Sequence, residues 1–128
     1  MGRVKTLFLA AVASVLGLGP ALAEGGCAVD YDSFAVRNIA PGDEALAKEQ
    51  SAAAEAWFIN SEAVTIRDRK YEKYGLPRVV PAAEVEFFAF KGSVPFLVEK
   101  AMKQAVPEIL YAVTDPATCE TQPYLVVP

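Results

Sequence analysis

The first 23 residues limit this chain more than any other feature, because they are composed to be cut away before the rest folds. Arg3 and Lys5 form a short positive lead. Residues 7–18 are apolar apart from Ser14 and Gly17. Pro20 then ends any helix, and Ala21-Leu22-Ala23 offers the small residues that a signal peptidase reads. A membrane-spanning helix needs about 20 apolar residues, and this run is shorter. Cys27 does not fit a lipid-modified site, since Glu24, Gly25 and Gly26 precede it rather than an aliphatic and small triplet. The expected product is a soluble, exported chain, periplasmic or secreted, with no stable membrane insertion after cleavage. The signal peptide is expected to span 1–23 and a single small domain 24–128.

Removal of the signal changes the electrostatics. The full chain has formal charge −4. Losing Arg3 and Lys5, and no acid, takes it to −6. Phosphate backbones are bound by releasing counterions to basic side chains, so nucleic acid is not an expected partner. The same charge argues against an anionic membrane surface.

Export also decides how the two cysteines read. Cys27 and Cys119 sit near opposite ends of the domain, and an even count in a small exported chain predicts a disulfide. Closing so long a loop is worth on the order of 4 kcal/mol in the chain-entropy view. A nucleophilic cysteine would need an activating base, and the chain has no histidine.

One segment has strong helical composition. Pro41-Gly42 forms a turn, Asp43 is placed to cap, and residues 44–58 are rich in Ala, Glu, Lys and Leu. Leu46, Ala53 and Trp57 fall on one stripe, widened by Ala54 and Phe58. After Asn60 the period becomes two. Residues 63–67 and 70–74 read as a hairpin about Asp68-Arg69. Residues 84–90 and 94–99 read as a second, turning at Lys91-Gly92. Residues 108–114 and 123–127 complete the set, and Pro81 confines residues 79–80 to an edge. One helix followed by about five or six antiparallel strands predicts an α+β domain. The single N-terminal helix would pack on a curved antiparallel sheet, a cystatin-like roll, with a small β-barrel as the alternative.

Catalytic and metal chemistry find little footing. Glu84 and Glu86 share a strand face but lack a third group. Asp30 and Asp32 start like a calcium loop, yet Phe34 stands where the next oxygen ligand belongs. Zinc has no histidine to use. The expectation is a chain that is not an enzyme and holds no metal or cofactor. Its alternating strands leave apolar residues on both faces, so one face is core and the other is covered, a pocket or an interface. Candidate partner-binding residues are Phe88, Phe90 and Tyr124 on that second face. Others are Arg67, Arg69, Lys70, Tyr71, Lys73, Tyr74 and Arg78 on the charged hairpin. The leading expectation is a domain that binds another protein or envelope component, as inhibitor, adaptor or accessory, with a homodimer allowed. The alternatives are a carrier of a small hydrophobic ligand between helix and sheet, and a histidine-free hydrolase using Glu84, Glu86 or Glu99.

Overall fold

The computed structural model describes residues 25–128. The expected signal peptide lies outside the described residues. The chain begins with a two-stranded ribbon, β1 (Ala28–Val29) and β2 (Val36–Arg37), and continues through short helices α1 (Glu44–Glu49) and α2 (Ala56–Ile59). Seven strands follow: β3 (Val64–Ile66), β4 (Arg69–Lys73), β5 (Arg78–Val79), β6 (Val85–Lys91), β7 (Val94–Glu99), β8 (Ile109–Asp115) and β9 (Glu120–Val126). Single 3-10 turns, Ala82–Glu84 and Lys100–Met102, sit beside β6 and after β7. Among the described residues no helix is long and apolar enough to cross a membrane.

The seven strands form one antiparallel sheet in the order β3-β4-β9-β8-β7-β6, with β5 also paired to β9. Two-residue turns set the β3–β4 and β6–β7 hairpins. Arg67 and Asp68 both have positive φ, 49° and 66°, the backbone that a tight hairpin requires. Gly92 does the same at φ 61° between Lys91 and Val94. The sheet curls into a half-barrel, so its terminal strands β3 and β6 approach each other. There the Arg67 guanidinium donates to the Phe88 carbonyl and lies 4.0 Å over the Phe88 ring.

Curling gives the sheet an inside and an outside, and each has its own core. The inside holds Val64, Ile66, Tyr71, Phe88, Phe96, Leu110 and Tyr124, with Trp57 of α2 packed among them. The Trp57 ring lies 5.9 Å from Phe96 and 6.3 Å from Tyr124. The outside core holds Val29, Val85, Leu97, Tyr111 and Val113 around the Cys27–Cys119 disulfide. The second strand face is therefore covered across that region, and the ribbon covers it rather than a helix. The Cα atoms of the two cysteines are 5.0 Å apart, and the Cys27 N–H donates to the Pro116 carbonyl at 2.8 Å. Gly26 lies in the same approach. A Cβ there would meet the Pro116 oxygen at 2.5 Å, and its φ is +98°, so only glycine fits.

The single long helix does not form, and this corrects the expectation for residues 44–58. Two short helices replace it. Helix propensity is a weak preference that tertiary bonds override, and here the bonds are specific. The Gln50 side chain accepts from the Val29 N–H at 3.0 Å and donates to the Val29 carbonyl at 2.8 Å, filling the open side of β1 as a strand would. Ser51 Oγ donates to the Thr114 carbonyl, and the Ala52 N–H donates to the Val113 carbonyl at 2.9 Å. The backbone turns at 50–55 to make these contacts. Asp43 makes no side-chain cap. Its carboxylate accepts from Arg37 at 2.7 Å and from the Ala40 N–H at 2.8 Å.

A second correction concerns β6. Simple alternation puts Phe88 and Phe90 together, opposite Val85, Phe87 and Ala89. The register between β6 and β7 slips between Phe87 and Ala89, a β-bulge at Phe88. Beyond it the faces exchange. Phe88 and Ala89 pack inside, while Phe87 and Phe90 share the outside with ring centroids 4.6 Å apart.

Candidate functional site

The hairpin of β3 and β4 and the loop that follows concentrate positive charge. Residues 67–78 hold five basic and two acidic side chains. The rest of 25–128 holds five basic and thirteen acidic ones. The fold gathers the basic residues on one margin of the sheet, where β4 and β5 lie end to end along the same flank of β9. Among the described residues the ion pairs are Arg37 with Asp30 and Asp43, and Lys103 with Glu86. None of the five basic residues of the margin is in one.

Three of those five rest on aromatic rings instead. Arg67 lies over Phe88, Lys73 over Phe58 at 3.9 Å, and Arg78 over Tyr111 at 5.6 Å. Such stacking holds a cation in place without neutralising it. Arg69 and Lys70 are exposed. Tyr74 is also exposed, whereas Tyr71 is core: it is buried and its hydroxyl donates to the Pro107 carbonyl at 2.9 Å. Burial pushes the Tyr71 hydroxyl pKa upward. Phe88 and Tyr124 are buried inside the half-barrel. Phe90 is half-buried outside, 5.4 Å from the Tyr31 ring. Arg67 over Phe88 is thus where the buried aromatic group and the charged margin meet.

A second concavity, a cleft of about 660 Å³, lies between β2 and the start of β6. Phe34 forms part of its wall with φ 61° and stacks on Phe87 at 5.1 Å. Its charged groups are largely committed. Arg37 is held by Asp43 and Asp30, which raise its pKa, and in turn it holds the Asp43 carboxyl below the ordinary range. Glu86 bonds Lys103 at 2.9 Å, which lowers its pKa. Glu84 belongs to the 3-10 turn before β6, so it does not share a strand face with Glu86 as alternation suggested. Among the described residues no cluster of three metal-ligating side chains occurs. Asp30 is bound to Arg37 at 2.8 Å.

At the loop between β4 and β5 the expected candidates were Tyr74 and Arg78, and Leu76 between them was not one. Gly75-Leu76-Pro77 reads as a strand breaker, yet Leu76 is 83% exposed at its apex and Val79 is 63% exposed beside it. Both ends of the loop are fastened to β9. The Tyr74 N–H donates to the Pro123 carbonyl at 2.9 Å. Gln122 Nε2 donates to the Gly75 carbonyl at 3.0 Å, and Thr121 Oγ1 to the Arg78 carbonyl at 2.9 Å. The available sequence signal was a large apolar residue between glycine and proline, which a disordered link has no need of. The chain matches no known protein family, no curated protein and no solved structure.

Proposed function

We propose that this chain is an exported, disulfide-stapled domain that binds an acidic envelope or extracellular protein through its basic margin. The supporting observation is the set of five basic side chains on the margin, none in an ion pair among the described residues, on a domain whose remainder is strongly acidic. Locally complementary charge raises the association rate and selects partners. Long polyanions would meet the net negative field of the whole domain, which favours a protein with a local acidic patch over nucleic acid or an anionic bilayer.

The test is capture from an envelope extract by the wild type and by an Arg69→Glu/Lys70→Glu variant. The expected result is a captured protein lost on charge reversal and released by salt, since screening weakens exposed pairs. No capture by the wild type, or capture indifferent to both changes, ends this reading.

One observation favours the carrier reading as a second possibility. The Tyr124 hydroxyl is buried inside the half-barrel with no hydrogen-bond partner, and a bound ligand would supply one. The space beside it is filled by Trp57, so loading would require α2 to move outward. Trp57 fluorescence that stays unchanged through a titration with an apolar carboxylic acid would remove this reading.

A further inference from the structure

One edge of the ribbon is filled and the other is open. β1 and β2 pair antiparallel, with Val29 opposite Val36. The Asp30 N–H donates to the Ala35 carbonyl at 3.0 Å, so Ala35 turns its backbone groups toward β1. Alternation along an antiparallel pair then turns those of Val36 the opposite way. Gln50 gives the same answer from the other strand. It takes both backbone groups of Val29, the residue opposite Val36, on the outer flank of β1. Among the described residues no strand pairs with the outer flank of β2. That flank borders the cleft of about 660 Å³, which Val36 itself lines. Phe34 and Phe87, stacked on each other, give the cleft an apolar wall. Arg37 and Glu86 on its lining are held by Asp30, Asp43 and Lys103. Lys100 also lines it, is exposed, and is in none of the ion pairs among the described residues.

We propose that the cleft binds an extended peptide segment of another protein, which pairs with β2 as a third strand of the ribbon. Strand addition takes its affinity from main-chain hydrogen bonds and its selectivity from alternate side chains. Here the Val36 N–H and carbonyl supply the main-chain bonds. An aliphatic side chain of the peptide rests on Phe34 and Phe87, and a carboxylate meets Lys100, the one cation of the lining left without an acid. Edge strands are commonly guarded by a charge or a proline. The charge on β2 is Arg37, and its guanidinium is drawn to Asp30 and Asp43, neither of which lines the cleft. The site shares no residue with the basic margin, so it goes beyond the binding reading above.

Selection of random peptides displayed on phage, against the purified disulfide-bonded chain, tests this. Enriched sequences are expected to carry aliphatic residues at alternate positions together with Asp or Glu. A synthetic peptide of the commonest sequence should slow exchange of the Val36 amide. Methylating its backbone nitrogens in the phase that faces β2 should weaken binding about fivefold or more, and methylation in the other phase should not. Val36→Pro removes the donor from the chain itself and spares the ribbon, since that N–H faces away from β1. It should weaken binding to a similar degree, with thermal unfolding verifying the fold. Lys100→Glu should turn the selection toward basic peptides, whereas Arg69→Glu/Lys70→Glu should leave it unchanged, which separates this site from the margin. A selection that enriches nothing overturns the proposal. So does a peptide that leaves Val36 exchange unaltered, or one whose affinity ignores both backbone methylation and Lys100→Glu.

Discussion

Gln50 shows how much one side chain decides in a domain of this size. It satisfies both free backbone groups of Val29 from a fully buried position. Gln50→Ala strands two buried polar groups, at about 1–3 kcal/mol each. Chemical denaturation should show a loss of about 3 kcal/mol, while Gln50→Glu should recover only the bond from the Val29 N–H. Tyr124 is the opposite case. Its hydroxyl is buried without a partner, and burial pushes its pKa up to about 12. The neutral form is the one the fold favours. Its contribution is complete below the unfolded value near 10 and is lost as pH rises through 12. Tyr124→Phe should therefore raise stability by about 1 kcal/mol and remove part of the decline above pH 10, read from unfolding midpoints at several pH values. Neither role was legible in the sequence. Gln50 looked like an ordinary helix residue, and nothing in a Pro-Tyr-Leu string marks a hydroxyl as orphaned.

Elements built from local pattern were the legible ones. Both hairpins fell within a residue or two of their expected turns, because alternation and turn chemistry are written over five or six neighbouring positions. The helix was misread because residues 50–52 spend their hydrogen-bonding capacity on β1 and β8, which lie far away in sequence. The faces of β6 were misread because a bulge adds one residue, and alternation cannot show which one. Of the candidate site, the basic hairpin was visible as composition. Its distinction from the buried Tyr71, Phe88 and Tyr124 depended on curvature, which composition does not encode. That curvature has a fastening at Arg67, whose side chain joins the two terminal strands. Arg67→Ala should cost about 1–2 kcal/mol, combining one hydrogen bond and one exposed cation–π contact. Amide exchange should rise in β3 and β6 more than in β8. Arg67→Lys should restore only part, since a single ammonium cannot both stack flat and donate along its edge.

At the scale of the whole molecule, two cores share one sheet, and the disulfide belongs to the outer one. Cys27 and Cys119 are separated by 92 positions, so the bridge constrains nearly the whole unfolded chain. Reduction, or Cys27→Ala/Cys119→Ala, should lower stability by about 4 kcal/mol, measured as the shift in denaturation midpoint against the oxidised chain. The ribbon should loosen first, because Cys27 is its anchor. Proteolysis near residues 31–34 is the expected early sign, ahead of cleavage within β7 or β8.

The place of β9 in the sheet has a consequence for how the chain is made. It is the last strand in chain order, yet it lies in the interior, with β8 on one side and β4 and β5 on the other. A chain threaded amino end first through a narrow channel would have only β3 to set β4 against, and nothing for β5, until residues 120–126 had passed through. Until then the earlier hairpins have no common scaffold and Cys119 has not arrived to meet Cys27. If the chain is exported as proposed, assembly of the whole sheet would wait for the trailing end, which would keep the segments still inside the channel extended and free to move.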